Sequence, residues 1–219
     1  MHDVGIYENL ILGIHFLLLK KCKIFDEKTI VRCYTGRSMR IKVRKHERRG
    51  YQSIKMSNIL EKQFLKQRND FEKSCVERDK KYHFPQGVIF ETDIAYAKDK
   101  NKAHRLDRYR PKGKEAQILP VIINVHGGGL LLGNKEFNKY FCALLSKKGF
   151  LVYSMEYRLI PDCTFFDQLR DIFLAMDFVK EHAAADGGDL SHVYLVGDSG
   201  GACLATYANA IQNSKKIAK

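Results

Sequence analysis

Two glycine-rich motifs, each placed directly after a run of apolar and β-branched residues, restrict the fold of this chain more than any other feature. The first is HGGG at residues 126–129, which follows ILPVIINV at residues 118–125. The second is GDSGG at residues 197–201, which follows a strand-like run that begins at Val193. Apolar runs of this kind are typical of strands buried on both faces of a parallel sheet. Because α/β sheets bind ligands beyond the carboxyl ends of their strands, the two motifs predict one functional edge.

Strands and helices are predicted to alternate over the second half of the chain. Helical spacing and a Thr164…Asp167 capping box predict a helix that begins near Phe165. The other predicted elements are the strands Val88–Ala97, Leu106–Pro111, Ile118–Val125, Phe150–Met155 and Val193–Gly197, and the helices Phe137–Leu145 and Ser199–Ile211. This alternation indicates an α/β fold with a mostly parallel sheet and flanking helices.

The GDSGG motif places a serine at a sharp turn from strand to helix. Such a turn exposes Ser199 Oγ above the sheet and directs the N-terminus of the next helix at a developing negative charge. Gly197 and Gly201, two residues to either side, let neighbouring chains pass without a Cβ clash. The pattern therefore predicts Ser199 as a nucleophile.

The HGGG motif can supply backbone N–H groups to an oxyanion, because side chains larger than hydrogen would obstruct the approach. Gly200, immediately after the serine, would supply another N–H group. Alone, HGGG fits a plain tight turn equally well. Its position 199 − 126 = 73 residues before the serine leaves room for two helices and a strand, which favours an oxyanion hole.

Four segments together resemble the hormone-sensitive-lipase-like esterase branch (fold-3) of the α/β-hydrolase superfamily. They are LDRYRP at 106–111, HGGGLLLG at 126–133, EYRLIPD at 156–162 and VGDSGG at 196–201, within a resemblance that covers about residues 85–216. The resemblance implies a serine hydrolase of the esterase/lipase type, acting on small-molecule carboxylic esters with small or medium acyl chains. It implies no metal and no organic cofactor.

The resemblance also implies roles for individual residues. Ser199 would be the nucleophile, and the N–H groups of Gly127, Gly128 and Gly200 would form the oxyanion hole. His126 would open the glycine loop and would not be the catalytic base. The residues implied to support the two motifs are His126, Gly129, Gly197, Asp198 and Gly201, and those implied to brace the loop are Glu156, Tyr157 and Arg158.

The largest departure from the family concerns the acid and the base that activate the serine. The family places them after the nucleophile, in the order Ser, Asp or Glu, His. The 219 − 199 = 20 residues after Ser199 contain no Asp, Glu or His, and nothing marks an upstream histidine as a base. We therefore expect a C-terminally truncated hydrolase that lacks its last strands, leaves its final strand edge unpaired and turns over esters weakly or not at all. The alternative is a non-catalytic α/β-hydrolase remnant or a binding protein.

Residues 1–84 are predicted to form a basic, mainly helical, cap-like region ahead of the hydrolase part at residues 85–219. Residues 1–115 carry 28 basic and 15 acidic side chains, a net charge of +13. Residues 116–219 carry ten of each and are neutral. The positive charge therefore belongs to the N-terminal part and not to the motif-bearing part.

Within the N-terminal part, helices are predicted at Leu10–Leu19 and inside Ile54–Phe71. The first is too short to span a bilayer, so a membrane span is not predicted. Arg37–Arg49 holds seven basic residues in thirteen, without the aromatic or glycine interleaving or the binding module that nucleic-acid recognition needs. A solvated basic face is predicted there, and nucleic acid is not a predicted partner.

Six cysteines lie along the chain without a C-x-x-C pair or a histidine cluster. This pattern favours reduced, mostly buried thiols over disulfides or a zinc site. Acidic Asp3 and Glu8 precede the apolar run at Leu10–Leu19, whereas a secretion signal carries positive charge there. The predicted compartment is therefore the cytoplasm.

Overall fold

A computed structural model describes residues 16–19 and 58–214, which form a six-stranded sheet flanked by helices. The strands are β1 (Phe16–Leu19), β2 (Val88–Ala95), β3 (Arg105–Pro111), β4 (Leu119–Val125), β5 (Leu151–Met155) and β6 (Gly188–Asp198). The helices are α1 (Asn58–Asp79), α2 (Lys139–Lys147), α3 (Phe165–His182) and α4 (Ser199–Asn213), with a short 3-10 helix at Lys135–Asn138. Each element predicted from Val88 onward is present, although β6 begins at Gly188, five residues earlier than predicted.

The order of the strands across the sheet is β1-β6-β4-β5-β3-β2. β4 pairs in parallel with both β5 and β6, whereas the pairs β1–β6, β3–β5 and β2–β3 are antiparallel. The predicted α/β-hydrolase architecture is confirmed as a mixed sheet whose parallel part is limited to three central strands. Val125 lies beside both Met155 and Gly197, so the carboxyl ends of these three strands meet at one edge.

The apolar runs of the central strands are buried because both faces of the sheet are covered. Val121, Ile123 and Val125 pack in one apolar cluster with residues of α3 and α4. Ile122 points the other way and packs in a second cluster with residues of α2. Burial of each such side chain stabilises the fold by about 1.5–3 kcal/mol. The central strands therefore anchor the edge at which both glycine motifs begin.

The predicted capping box fixes the start of α3. Thr164 Oγ1 accepts a hydrogen bond from the Asp167 N–H at 3.2 Å, and the Asp167 carboxylate accepts one from the Thr164 N–H at 2.9 Å. Each bond satisfies an N–H group that the helix itself leaves without a partner. From this start the helix presents Leu169, Ile172 and Met176 to the sheet.

The helix predicted at Leu10–Leu19 is wrong where the structure describes it, because Phe16–Leu19 is strand β1. It pairs antiparallel with β6, with Phe16 opposite Asp198 and Leu19 opposite Leu195. A short apolar run has no periodicity that separates helix from strand, and pairing satisfies its backbone along an exposed sheet edge. The edge of β6 expected to be unpaired is therefore paired. Leu10–His15 and the basic run Arg37–Arg49 lie outside the described residues.

The four described cysteines are free thiols, as predicted, but most of them are not buried. Cys142 is buried, Cys75 and Cys163 are half-buried, and Cys203 is exposed. Cys203 is exposed because it lies on the outward face of α4, one turn after Ser199. In the described part of the chain, no helix has the length and apolar character needed to cross a membrane.

Candidate active site

Ser199 lies at the junction of β6 and α4, where the backbone turns sharply. Asp198 is extended, with φ −110° and ψ 147°, whereas Ser199 has a φ of 45°. A positive φ is costly for a residue with a Cβ, and such strain is concentrated at functional sites. The turn leaves Ser199 exposed while Asp198 beside it is buried.

The glycines around Ser199 are required by close backbone approaches. A Cβ on Gly201 would lie 2.1 Å from the carbonyl oxygen of Val125, at the end of β4. A Cβ on Gly197 would lie 2.6 Å from the carbonyl carbon of Gly201. Real Cβ atoms do not approach backbone atoms so closely, so the start of α4 packs against the sheet only because these side chains are absent.

The loop that follows β4 uses glycine for a different reason, namely its backbone conformation. Gly128 and Gly129 have φ values of +125° and +62°, and Leu130 follows with +71°. The carbonyl oxygen of Gly128 closes the turn by accepting hydrogen bonds from the N–H groups of Leu131 and Leu132, at 3.2 and 2.9 Å. This turn carries the loop back toward Ser199.

The glycine loop and the serine turn meet at Gly200. A Cβ built on Gly200 would lie 3.1 Å from the backbone nitrogen of Gly129 and 3.0 Å from that of Leu130. Within residues 58–214, the N–H groups of Gly128 and Gly129 donate no hydrogen bond to another protein group. As the second residue of α4, Gly200 also lacks an intrahelical acceptor for its N–H. Backbone donors therefore converge beside the exposed serine.

Gly127 differs from the other glycines, and its expected role needs correction. Its N–H donates a hydrogen bond of 2.9 Å to Asp198 Oδ1, so it is not available to an oxyanion in this structure. A Cβ on Gly127 would lie 2.2 Å from Asp198 Oδ2, so the carboxylate can pack here only against a glycine. The N–H of Gly129, by contrast, has no acceptor among residues 58–214.

A buried polar network beneath the glycine loop was not predicted from the sequence. Asp198 Oδ1 also accepts a hydrogen bond from Asn138 Nδ2 at 2.8 Å. Asn124 donates from Nδ2 to Ser154 Oγ at 3.1 Å, and Ser154 Oγ donates to the carbonyl of Lys135 at 3.1 Å. The one signal in the sequence was a polar Asn124 inside an otherwise apolar strand. The network ties β4, β5, the 3-10 helix and the serine turn together.

His126, at the start of the glycine loop, is held by Glu156 and Tyr157. Its ring is fully buried and stacks on Tyr157 with 4.3 Å between ring centroids, and Tyr157 Oη donates to the His126 carbonyl at 2.8 Å. Nε2 lies 3.1 Å from Glu156 Oε1, and Nδ1 lies 2.8 Å from the Gly127 carbonyl oxygen. Burial acts to lower the pKa of His126, but the hydrogen bond and charge of Glu156 outweigh it and raise the pKa.

The rest of the EYRLIPD segment also supports the loop. Arg158 forms a two-pronged ion pair with buried Asp171, with Nη2–Oδ1 at 2.7 Å and Nε–Oδ2 at 2.9 Å. Gln168 Nε2 donates to the carbonyls of Leu130 and Arg158, both at 2.9 Å. Gln168 thus links the Arg158 carbonyl to Leu130, the residue that follows the glycines.

None of the histidines in the described part of the chain is hydrogen-bonded to Ser199. His104 is held between Asp99 and Asp171, at 2.7 and 3.1 Å. His182 lies 2.8 Å from the Phe178 carbonyl. Exposed His192 lies 2.7 Å from Asp189 and 2.9 Å from Ser191 Oγ, and His2, His15 and His46 lie outside the described residues. The described site thus contains a serine and backbone donors without a partner base.

Curated relatives match about half of the chain. An isoprenylcysteine alpha-carbonyl methylesterase from Arabidopsis thaliana is 32% identical over 114 residues, which is 52% of this chain and 26% of that protein. A versiconal hemiacetal acetate esterase from Dothistroma septosporum is 30% identical over 111 residues, which is 50% of this chain and 34% of that protein. The chain thus spans between a quarter and a third of the length of these relatives.

A solved esterase structure and a family model are also similar to this chain. An inhibited esterase B from Lactobacillus rhamnosis superposes with a TM-score of 0.69 and 30% identity, covering 73% of this chain and 52% of that one. The family model described as BD-FAE matches residues 106–219, from the third strand through both glycine motifs and the helix after the serine. The match covers more than half of this chain, and the chain therefore belongs to the BD-FAE family of α/β hydrolases.

Proposed function

We propose that this chain carries the nucleophile and the oxyanion hole of a serine hydrolase that cleaves small-molecule carboxylic esters. The observation that carries the proposal is the meeting of exposed Ser199, at a φ of 45°, with the backbone nitrogens of the glycine loop beside Gly200. The esterase names of the relatives from Arabidopsis, Dothistroma and Lactobacillus support the same reaction class. Free thiols at the four described cysteines support a reducing compartment such as the cytoplasm.

In the proposed reaction, Ser199 Oγ attacks the acyl carbon and gives its proton to a base. The carbonyl oxygen becomes an oxyanion, which accepts hydrogen bonds from the N–H groups of Gly128, Gly129 and Gly200. The C–O bond to the alcohol then breaks, the alcohol leaves with the proton, and water hydrolyses the acyl-serine. The N-terminus of α4 adds favourable potential at the oxyanion.

A non-catalytic binding protein is the second candidate. The observation that favours it is the lack of any hydrogen bond between Ser199 and a histidine of the described residues, since the nearest imidazole by sequence, His192, pairs with Asp189. Without a base the serine is a weak nucleophile, and what remains is about 10³–10⁴-fold catalysis over water from binding and the oxyanion hole.

Added imidazole can supply the missing base and separates the two candidates. The hydrolysis of p-nitrophenyl acetate by the full chain is measured at increasing imidazole, with Ser199→Ala giving the background reaction. We expect little turnover without imidazole and a Ser199-dependent rate that rises about tenfold or more with it.

Two results would contradict parts of this proposal. Equal rates for the full chain and Ser199→Ala at all imidazole concentrations would reject the serine hydrolase and favour the binding protein. Rapid turnover without imidazole that disappears in Ser199→Ala would reject the expectation of weak activity, because the chain would then contain its own base.

A further inference from the structure

One face of α1 lies against the segments that surround the glycine loop. Half-buried residues recur at Phe64, Arg68, Phe71, Cys75 and Arg78, a spacing of four, three, four and three residues, and the positions between them are exposed. This is the stripe of a helix packed along one side. The helix therefore docks on the hydrolase part through a single, well-defined face.

The C-terminal half of this face contacts the segment that follows the glycine loop. The Phe71 ring lies 5.1 Å from that of Phe137, and Arg78 Nη1 donates to the Phe137 carbonyl at 2.9 Å. Asp79 forms an ion pair with Lys139 at the start of α2. These contacts fix α1 beside the 3-10 helix, and they place Arg68 next to the glycine loop itself.

Arg68 joins α1 to two loops at once. Its Nε donates to the carbonyl of Leu131 at 2.9 Å, its Nη2 to the carbonyl of Ile160 at 2.7 Å, and its Nη1 to Asp162 Oδ2 at 2.7 Å. The two loops are also bonded to each other, because the Ile160 N–H donates to the Leu130 carbonyl at 3.0 Å. One guanidinium group thus holds both sides of that contact.

The Leu131 carbonyl is one short turn away from the proposed oxyanion donors. Leu131 and Leu132 donate to the Gly128 carbonyl, and that turn sets the direction of the Gly128 and Gly129 N–H groups. Because oxyanion donors act only when they are aimed beforehand, a shift of the turn would weaken them without removing any of them. A contact that fixes Leu131 therefore also fixes the direction of the Gly128 and Gly129 N–H groups.

We propose that Arg68 is a positioning residue that couples the docking of α1 to the aim of the oxyanion donors. The inference rests on the proposed esterase function for its effect on rate, but its effect on the loop is independent of that function. The Arg68 side chain is 16% exposed and that of Asp162 is 67% exposed. Exposed ion pairs contribute little, so the two bonds to backbone carbonyls carry the effect.

Lysine cannot replace arginine in this role. The guanidinium reaches the Leu131 and Ile160 carbonyls with two nitrogens held in one plane, whereas a lysine has a single ammonium on a flexible stem. Arg68→Lys therefore keeps the charge and loses the bridge. Lys66→Ala is the matched control, since it removes a positive charge two residues away on the exposed side of the same helix.

The first test measures hydrogen exchange of the backbone amides of Leu131 and Leu132, which the Gly128 carbonyl holds, in the full chain. We expect exchange about tenfold faster in Arg68→Ala and Arg68→Lys than in Lys66→Ala, with unchanged exchange in the core strand β5. Faster exchange throughout the protein would indicate general destabilisation and would overturn the positioning role. Unchanged exchange at Leu131 and Leu132 would overturn it as well.

The second test measures imidazole-supported hydrolysis of p-nitrophenyl acetate. We expect kcat to fall about tenfold in Arg68→Ala with little change in KM, and guanidinium ion at millimolar concentration to restore part of it. An unchanged kcat in an active protein, or equal losses in Arg68→Ala and Lys66→Ala, would reject the coupling. If the unsubstituted chain shows no Ser199-dependent rate, the proposed function fails, and the hydrogen-exchange result still decides whether Arg68 positions the loop.

Discussion

The edge that carries the two glycine motifs and the outer strands β2 and β3 are built in opposite ways. At the motif edge, backbone segments approach so closely that Gly197 and Gly201 leave no room for a Cβ, and the Gly201 position would place one 2.1 Å from the Val125 carbonyl oxygen. On the outer strands, contacts are redundant. Arg108, for example, pairs with both Glu91 and Asp186.

Aromatic and ionic groups around the outer strands also have several partners each. Phe90 stacks on Tyr109 at 4.6 Å and on Phe84 at 5.3 Å, and Lys135 forms ion pairs with Asp93, Asp107 and Glu136. A site that depends on backbone N–H groups must fix the backbone, whereas a supporting strand needs only to remain paired. Substitutions should therefore have large effects at the motif edge and small effects at the exposed charged positions of the outer strands.

The largest effect is expected for Gly201→Ala. Its Cβ would collide with the backbone at the end of β4, which cannot move without disturbing the central sheet, so we expect a loss of about 3 kcal/mol in the free energy of unfolding. Gly113→Ala is the control, because a Cβ there meets nothing within 4 Å and only its φ of +80° opposes the change. Urea unfolding of both variants measures the difference, and equal losses would contradict the comparison.

The next effect is expected for Asp198→Ala. It removes the acceptor of two buried hydrogen bonds, from the Gly127 N–H and from Asn138, and should cost about 2–3 kcal/mol. Asp177→Asn, on the exposed side of α3, should change stability by less than about 0.5 kcal/mol. A cost at Asp198 no larger than at Asp177 would show that the network does not hold the loop.

A smaller, pH-dependent effect is expected at His126. Its pKa is raised in the folded state, so the protonated imidazole stabilises the fold below the unfolded pKa of about 6.5, and this contribution is lost as pH rises through the folded pKa. Glu156→Gln should remove this loss, so its stability should change less with pH from about 6.5 upward. Thermal unfolding over a pH series compares the two proteins, and parallel curves would contradict the role of Glu156.

The smallest effect is expected for Glu91→Gln on β2. Glu91 is 53% exposed, and Arg108 keeps its second partner Asp186, so the change should be under about 0.5 kcal/mol. Urea unfolding beside the Asp198→Ala protein gives the contrast directly. A loss above 1 kcal/mol, on the order of a typical buried hydrogen bond, would show that the outer strands are less tolerant than the comparison states.

Much of the central architecture could be predicted from local pattern alone. The β-branched residues of Leu119–Val125 favour a strand, and the Thr164–Asp167 capping box forms between residues three apart, so both signals are local. The strand at Phe16–Leu19 could not be predicted, since its conformation depends on the sheet edge that it joins, about 180 residues further along the chain.

The site was predicted at the level of motifs but not of individual donors. The sequence identifies a glycine run, but the direction of each N–H depends on φ values and on distant partners. Gly127 is engaged by Asp198, 71 residues away, and Arg68 reaches Leu131 across 63 residues. Such pairings arise from the folded topology and carry no local signal.

The most direct measurement is the location of an acetyl group after the full chain is incubated with p-nitrophenyl acetate and imidazole. Peptide mass spectrometry with fragmentation that separates Ser199 from exposed Cys203 identifies the acylated atom. We predict acetyl-Ser199, formed faster with imidazole and absent from Ser199→Ala. Acetyl groups found only on Cys203 or on surface lysines, at the same level in both proteins, would contradict the claim that Ser199 is the nucleophile.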